Sequence, residues 1–285
     1  MALKQGEVIN NTYTIQFFIG QGAFGEVYRV KHKFLGLQVL KVLKADYVES
    51  SDLETLITEA LLLSQLTHEN VVRVFETNTF EKNNSVFYFL AMEFVSGESL
   101  SDLLKREITL PYEKAVNIQI DFLQGLEKAH SLSIIHRDIN PDNILLSYQD
   151  EQVKGLLSDF GLAQKVNDLD KISGAAGRYL YFAPECFSNI YLPTSDVFSA
   201  GIVFYKILTG ALPWAIDVYE HSSLDEIVDN ILASRRKNPV PPSFYNSEIP
   251  EEIDKVVLKS LELKIENRYT AGGDFLAAIT KAFNN

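Results

Sequence analysis

The spacing of apolar residues changes from a strand period to a helix period about a third of the way along this chain of 285 residues. Up to about Glu93, short runs rich in Val, Phe and Tyr are separated by Gly or Asn, which predicts strands with one helix among them. After Gly97 the apolar residues recur at helical spacing, apart from two short strands that predict a hairpin. The pattern predicts an α+β fold of two lobes, a small β-rich N-terminal lobe and a larger α-helical C-terminal lobe.

The predicted lobes meet at a short hinge near residues 94–97. We expect residues 1–94 to form the first lobe and residues 95–285 the second, together as one domain whose cleft offers a ligand site. The predicted strands are residues 13–19, 26–31, 37–43, 71–77, 86–93, 144–148 and 153–158. The predicted helices are residues 53–66, 100–106, 112–131, 195–208, 224–234, 253–263 and 273–283.

The charge balance argues against nucleic-acid binding. With 26 basic and 38 acidic residues the net charge is −12, so the overall field repels DNA, RNA and anionic lipid. The sequence contains no apolar run of about 18 residues and no leader-like start, so we expect no membrane span within this chain. A single cysteine, Cys186, excludes an internal disulfide framework and favours a cytoplasmic setting.

Residues 20–25 read Gly-Gln-Gly-Ala-Phe-Gly, a G-x-G-x-x-G string. A dinucleotide-binding fold would begin a helix here and place an acidic residue about twenty residues on, but a predicted strand follows and Lys41 stands at that distance. The Rossmann interpretation is therefore excluded. A flap between two strands can instead lay the N–H groups of Gly20, Gly22 and Gly25 over phosphates, with an ordinary hairpin as the alternative.

Lys41 lies within an apolar predicted strand, where a lysine must point to solvent or meet an anion. Glu59 borders the apolar stripe of the following predicted helix and can face the sheet. A pair between the two would hold the ammonium against the phosphates of a nucleotide. The alternative is that both side chains are simply solvated.

The most specific string is His-Arg-Asp-Ile-Asn-Pro-Asp-Asn at residues 136–143, with Asp159-Phe160-Gly161 beginning 21 residues after Asp138. Two carboxylates and an amide on loops around a hairpin can supply a base and bind magnesium, because hard cations prefer oxygen ligands. Each of these residues alone is also typical of a turn or a helix cap. Their joint spacing favours the chemical interpretation.

The ordered set of motifs resembles the protein kinase domain of the eukaryotic-like (Hanks-type) Ser/Thr family, which is found also in bacteria. The resemblance runs from about Tyr13 to about Ile279. Its further matches are Val27 after the glycines, Ala183-Pro184-Glu185, the string at residues 196–201, and Arg268. Small-molecule phosphotransferases share the catalytic Asp and Asn but lack the combination of Ala183-Pro184-Glu185 with residues 196–201.

The resemblance implies the roles of the catalytic residues. Asp138 would accept the proton of the substrate hydroxyl, and Asn143 and Asp159 would hold Mg²⁺. Lys41 would contact the α- and β-phosphates of ATP, with Glu59 fixing it.

The resemblance also implies how the adenine of ATP is bound. Met92 stands at the gatekeeper position, and backbone groups from Glu93 to Val95 would hydrogen-bond the base. Val27 and Leu145 would enclose it from two sides. Separately, Glu185 and Arg268 resemble a buried ion pair that braces the substrate-docking loop.

Three residues depart from the family pattern. Val39 replaces the usual alanine two residues before the lysine, so two extra methyl groups project toward the adenine. Asn140 replaces the lysine that follows the catalytic aspartate, which removes a cation from the γ-phosphate. Arg178 stands where a threonine usually contacts the catalytic aspartate and that lysine. We predict that Arg178 supplies the missing charge; the alternative is that it faces solvent or an acidic side chain.

The resemblance implies an enzyme, a magnesium-dependent kinase that phosphorylates Ser or Thr of protein substrates with ATP. The main alternative is a pseudokinase, a nucleotide-binding interaction module with weak or no transfer, favoured by Asn140 and Arg178. A small-molecule phosphotransferase is disfavoured. If a phosphate on the activation loop matters, we expect it on Ser173, because Tyr179 and Tyr181 lie in the segment expected to dock the substrate.

Overall fold

The computed structural model describes residues 3–21, 25–43, 63–149, 152–160, 176–216 and 223–284. The described residues up to Val95 form one compact unit, and those from Ser96 onward form a second. None of the helices in these ranges is long and apolar enough to cross a bilayer.

The first unit is built on an antiparallel sheet, in the spatial order β1-β2-β3-β4-β6-β5. Its strands are β1 (Val8–Ile9), β2 (Tyr13–Gln21), β3 (Gly25–His32), β4 (Gly36–Leu43), β5 (Val74–Lys82) and β6 (Ser85–Glu93). The five strands predicted for this region are all present. The two-residue β1 was not predicted.

The fourth predicted strand was placed too early, at residues 71–77. In the structure β5 runs to Lys82, which pairs with Ser85 of β6. Asn83 and Asn84 form the turn between them with φ of 51° and 60°, a left-handed conformation that asparagine adopts more readily than most residues. The turn fixes the register of the hairpin, and the polar sequence before it concealed the strand.

The sheet of the first unit buries one face. Leu40 and Val42 of β4 pack there with Tyr28, Val30 and Phe89, all of them buried. Because successive side chains of a strand point to opposite faces, Val39 and Lys41 project from the other face of β4. Both are half-buried. The apolar alternation of the sequence thus determines which face carries the lysine.

The second unit is mainly helical and carries a small antiparallel sheet in the order β7-β8-β9. Its strands are β7 (Gly97–Ser99), β8 (Ile144–Gln149) and β9 (Gln152–Leu157). Its helices are α1 (Leu100–Arg106), α2 (Tyr112–Ser131), α3 (Ala176–Tyr179), α4 (Pro193–Thr209), α5 (Leu224–Ser234), α6 (Glu251–Ser260) and α7 (Gly272–Phe283). Helix α4 is buried on almost all sides and forms the centre of the unit.

The predicted hairpin and helices of the second unit are confirmed, with α1, α2 and α5 matching at both ends. Two details were wrong. Gly97, predicted as hinge, begins β7 and pairs with Ser147. The helix predicted at residues 253–263 begins and ends earlier, because Pro250 precedes its first turn and suits a helix start. The helix predicted at residues 53–66 lies largely outside the described residues.

Candidate active site

Four hydrogen-bond donors surround the carboxylate of Asp138. The side-chain amides of Asn140 and Asn143 donate to Oδ1 at 3.0 Å and to Oδ2 at 2.6 Å. Arg178 adds a two-pronged contact, with Nε 3.0 Å from Oδ1 and Nη2 2.5 Å from Oδ2. A carboxylate offers about four lone-pair positions, so these donors fill its capacity as an acceptor. A further donor can bond to this carboxylate only after one of them moves.

Arg178 is the donor that can leave Asp138 with the least disturbance. Asn140 is buried, and its side chain also donates to the backbone oxygen of Asp138 and accepts from the N–H of Asp142. Asn143 is buried as well and donates to the same backbone oxygen. The Arg178 side chain is 21% exposed, against 9% for Asp138. A long, partly exposed side chain on another segment can change partners while the loop keeps its shape.

Asp196, in the first turn of α4, holds in place the loop of residues 136–143, which we call the catalytic loop. Its carboxylate accepts the backbone N–H groups of His136 at 2.7 Å and Arg137 at 2.9 Å. The ring of His130 accepts from the N–H of Gly272 through Nδ1, so its Nε2 carries the proton and donates to Asp196 at 2.9 Å. Arg137 has a left-handed φ of 68°, which costs a non-glycine residue energy and is stabilised by these bonds.

His136 connects the catalytic loop to the loop of Asp159. Its Nε2 donates to the backbone oxygen of Ser158 at 3.0 Å, and its Nδ1 accepts from the N–H of Asp138 at 3.3 Å. Burial is the main reason that the pKa of His136 lies below its ordinary value, so the ring is neutral near pH 7. The ring also packs against Phe160, with centroids 4.4 Å apart. This histidine is therefore a structural link between the two loops.

The two predicted magnesium ligands are brought near one another by Ser158. Its N–H and its hydroxyl both donate to the backbone oxygen of Asn143, at 2.9 Å and 3.1 Å. Asp159 follows directly, with a left-handed φ of 54°. Because Asn143 directs its amide nitrogen to Asp138, its amide oxygen is the atom that would bind a metal.

The side-chain oxygens of Asn143 and Asp159 fit magnesium, which shares its ligands with a substrate, better than a metal ion held only by protein side chains. Within the described ranges, no group of three or more His, Cys, Asp or Glu side chains could hold an ion. Mg²⁺ is commonly bound through one or two carboxylates together with substrate phosphates and water. One carboxylate and one amide beside a phosphate-bearing substrate is such a set.

The predicted nucleotide residues of the first unit share one face of its sheet. Val27 pairs with Gly20 on one side and with Lys41 on the other. Val39 pairs with Met92 on β6. Directly opposite residues on antiparallel strands project from the same face. The structure thus brings the lysine, the two valines and the gatekeeper methionine together on the face away from the core.

The other residues predicted to bind the nucleotide lie at or near strand ends, on β8 or outside the described residues. Glu93 ends β6, and its N–H donates to Arg73 O at 2.9 Å. Val95 is the last described residue of the first unit, and Leu145 is a half-buried residue of β8. A Cβ at Gly25 would overlap the carbonyl of Val42, so close packing of β3 on β4 requires glycine there. Gly22, Glu59, Gly161 and Ser173 lie outside the described residues.

The predicted ion pair between Glu185 and Arg268 is confirmed. Arg268 Nη1 is 2.6 Å from Oε1 and Nη2 is 3.1 Å from Oε2, with side chains 0% and 8% exposed for Arg268 and Glu185. The Ser195 hydroxyl donates to Oε1 at 2.7 Å. Burial alone would raise the pKa of Glu185, but the hydrogen bonds from Arg268 and Ser195 outweigh it and hold the pKa below its ordinary value.

Replacing Glu185 with glutamine is expected to destabilise the fold by about 3–5 kcal/mol, because the buried charge of Arg268 loses its partner. Denaturant unfolding at pH 7 measures the change. The matched control is Glu251→Gln, which breaks an exposed pair with Lys255 and should cost under about 0.5 kcal/mol. Equal losses in the two variants would contradict the structural role of the pair.

The same variant has an expected pH dependence. A carboxyl whose folded-state pKa is lowered stabilises the fold above its unfolded pKa, and this stabilisation is lost as the pH falls through the folded value. The difference in unfolding free energy between the wild-type protein and Glu185→Gln should therefore be full at neutral pH and shrink in acid. A difference that grows in acid would contradict the lowered pKa.

Two structural residues of this region were missed at the sequence level. Asp196 was noted only as part of a string, and its bonds to the catalytic loop were not predicted. Arg235 was not singled out at all, although its side chain is buried against residues 180–182. Together with the adjacent Arg236 and Lys237 it forms a run of basic residues, which is typical of a solvent-exposed surface.

Comparison with known proteins agrees with the motifs. The family model described as the protein kinase domain matches residues 13–279. A probable serine/threonine-protein kinase of Clostridium perfringens is 30% identical over 281 residues, covering 97% of this chain and 39% of that protein. The serine/threonine-protein kinase PknB of Mycobacterium leprae is 30% identical over 284 residues, covering 96% and 43%. The chain thus spans about two fifths of the length of these relatives.

The fold is shared with solved kinase domains. The kinase domain of PknI from Mycobacterium tuberculosis superposes with a TM-score of 0.73 at 24% identity, covering 99% of this chain and 100% of that one. This likeness confirms the predicted kinase-like α+β fold. With the family model matching nearly the whole length, the chain belongs to the protein kinase family, and its relatives are bacterial Ser/Thr protein kinases.

Proposed function

We propose that this chain is an active, magnesium-dependent kinase that transfers the γ-phosphoryl group of ATP to Ser or Thr hydroxyls of protein substrates. The observation that supports it most is the ordered cluster of Asp138, Asn143 and the Asp159 loop, joined by His136 and Ser158. Positioning and charge neutralisation supply most of the catalysis of phosphoryl transfer, and this cluster is arranged for both.

Asp138 is the proposed proton acceptor. As the substrate oxygen bonds to the γ-phosphorus, the bond from that phosphorus to the bridging oxygen of ADP breaks, and the hydroxyl proton passes to Asp138. Asn143 and Asp159 would hold Mg²⁺, which supplies charge neutralisation at the phosphates when bound. Lys41, fixed by Glu59, would contact the α- and β-phosphates.

The face of the first sheet that carries Lys41 is the proposed adenine and phosphate surface. Gly20, Gly22 and Gly25 would cover the phosphates, and Val27 would cover one side of the base. The extra methyl groups of Val39, next to Met92 in the sheet, would narrow the adenine region. Glu93 and Val95 would bind adenine with backbone groups.

Arg178 is proposed to exchange partners during the reaction. In the structure its guanidinium covers the carboxylate of Asp138. A planar guanidinium binds phosphate oxygens in the same two-pronged way, so the γ-phosphate of bound ATP can compete for it. Such an exchange would free Asp138 for the substrate hydroxyl and place a cation beside the transferred group.

A pseudokinase is the second candidate, and one observation favours it. All four acceptor positions of Asp138 are occupied, and two of the donors belong to Arg178, a departure from the family. If Arg178 stays on Asp138 when ATP is present, the base is blocked and the chain only binds nucleotide.

The proposed partners follow from the proposed activity. They are ATP and proteins with a Ser or Thr acceptor, and the net charge of −12 argues against nucleic acid. We further propose a cytoplasmic location for this domain, where ATP is available.

The test of the proposed function is an assay with γ-labelled ATP, Mg²⁺ and dephosphorylated casein, followed by phosphoamino-acid analysis. We expect label on serine or threonine of the casein, and loss of that label when EDTA removes the metal. Nucleotide binding without any label on protein would favour the pseudokinase. Label on tyrosine alone would contradict the Ser/Thr assignment.

Regulation by a loop phosphate gives a further prediction. Tyr179 and Tyr181 are only 4% and 6% exposed, so Ser173 remains the expected bearer of an activating phosphate. Mass spectrometry after incubation with ATP should find phosphate at Ser173, and Ser173→Ala should lower kcat. Full activity of that variant would show that the loop needs no phosphate.

A further inference from the structure

Arg235 is a buried cation at the C-terminal end of α5. Arg235 is 2% exposed, and its guanidinium spans two backbone carbonyls. Nη1 donates to Phe182 O, and Nη2 donates to Leu180 O at a distance of 2.9 Å. Burying an isolated charge is costly, so a buried arginine requires hydrogen-bond acceptors for its N–H groups. Burial lowers the pKa of Arg235 to about 9, which leaves the guanidinium protonated at pH 7.

These carbonyls belong to the docking segment, residues 179–183, which joins α3 to the buried Glu185. The segment forms no strand or helix beyond Tyr179, so the carbonyl groups of residues 180–182 need partners other than the backbone N–H groups of regular secondary structure. The carbonyl between the two that Arg235 binds, Tyr181 O, accepts from Ser199 Oγ at 2.7 Å. Three successive carbonyls of the segment are thus held by side chains of α4 and of the end of α5.

Aromatic rings also support Arg235. Its guanidinium carbon lies 5.2 Å from the centroid of Phe198 and 5.6 Å from that of Trp214, and these two rings stack at 5.9 Å. Arg268 also contacts Phe198, at 4.7 Å. Both arginines that hold this stretch of chain, one through carbonyls and one through Glu185, therefore rest on one ring.

We propose that Arg235 is a positioning residue for the protein substrate, holding the docking segment in the shape that binds the residues around the acceptor hydroxyl. The proposal rests on the proposed function, because it assigns the segment to the substrate of that reaction. The contacts of Arg235 described above are to the docking segment, α4 and Trp214, and Lys41 and Asp138 are not among them. Its loss should therefore weaken binding of the protein substrate and leave ATP binding unchanged.

The kinetic test uses the whole chain with casein and ATP. Arg235→Met removes both hydrogen bonds and should raise the KM for casein about tenfold or more, while the KM for ATP stays within about twofold. Arg235→Lys keeps the charge but cannot span two carbonyls, so its KM for casein should lie between those of the wild-type protein and Arg235→Met. The matched control is Arg236→Met, since Arg236 is exposed, and it should behave as the wild-type protein.

A second measurement separates this proposal from the proposed function. The Kd for casein is measured in the presence of a non-hydrolysable ATP analogue, and amide hydrogen exchange is followed at residues 180–187. Arg235→Met should raise the Kd about tenfold and accelerate exchange in this segment, with exchange in α6 unchanged. These readouts need no phosphoryl transfer, so an inactive wild-type chain contradicts the proposed function only.

Two outcomes would overturn the proposal. One is an unchanged KM and Kd for casein in Arg235→Met, and the other is an equal rise in the KM values for casein and ATP. If Arg235→Met does not fold, Arg235→Lys carries the same test. A lysine variant with wild-type casein binding would then show that the two-carbonyl contact has no part in substrate recognition.

Discussion

Asp138→Ala is expected to lower the rate of phosphoryl transfer by several orders of magnitude and to leave the Kd for ATP nearly unchanged. In the proposed mechanism the carboxylate receives the hydroxyl proton and orients the acceptor, and both contributions would disappear with the side chain. The loss should appear in kcat, measured as label transferred to casein at saturating ATP. The matched control is Asp142→Ala, an exposed carboxylate on the same loop, which should retain activity within about twofold.

Asp159→Ala and Lys41→Ala are expected to cause losses of similar size for different reasons. Without Asp159, Mg²⁺-dependent binding of nucleotide should disappear, which isothermal titration with and without the metal measures. Without Lys41, the phosphates would lose the cation that the proposed mechanism places beside them. Unchanged magnesium dependence in the first variant would contradict the role of Asp159, and normal turnover by Asp138→Ala would contradict the assignment of the base.

Arg178→Ala is expected to lower kcat by a factor on the order of 10² with little change in ATP binding. The expectation follows if Arg178 leaves Asp138 and neutralises the charge that spreads over the transferred phosphoryl group. The direction of the change in kcat distinguishes two roles of Arg178. If the guanidinium only blocks the base, its removal frees Asp138 and kcat should rise.

The companion variant is Asn140→Lys, which introduces the cation that Ser/Thr kinases usually carry at this position. In the Arg178→Ala background it should recover part of the lost kcat. In the wild-type background it gains little, because lysine and Arg178 would compete for the same carboxylate and the cap on the Asp142 N–H is lost. The double-mutant cycle therefore predicts a coupling energy between the two positions. Independent effects would contradict the exchange of charge between them.

Arg178→Lys separates charge from geometry. It keeps a cation but replaces the planar fork with a single ammonium, so it cannot bind a carboxylate or phosphate through two parallel bonds. We expect a kcat between those of the wild-type protein and Arg178→Ala.

An Arg178→Ala variant with wild-type kcat would show that Arg178 does not replace the lysine missing at position 140. That result would favour the pseudokinase.

The sequence predicted those parts of the site in which chemistry and spacing lie close together. Asp138, Asn140 and Asn143 fall within six residues, and the structure joins them through side-chain hydrogen bonds. The apolar strand around Lys41 left its side chain two options, solvent or an anion, and in the structure the lysine projects from the face of β4 opposite the core. In both cases the neighbours along the chain or across a hairpin determine the outcome.

Contacts between distant segments were harder to predict. The sequence left two possible partners for Arg178, a phosphate or an acidic side chain, and its contact with Asp138 spans 40 residues. Nothing local distinguishes Arg235 from Arg236, because arginines are mostly exposed and the buried one is recognised only by the carbonyls and rings around it. The link from Asp196 to the catalytic loop, across about 60 residues, has no local signature either.

The most direct test of the proposed kinase activity compares the wild-type chain with Asp138→Asn at matched nucleotide occupancy. The amide is nearly the same size as the carboxylate but cannot accept the hydroxyl proton, so binding of Mg²⁺ and ATP is preserved while transfer is not. We expect label on casein serine or threonine with the wild-type chain, and a rate lower by orders of magnitude with the variant. Equal rates for the two proteins, or no transfer by a wild-type chain that binds Mg²⁺ and ATP, would contradict this expectation.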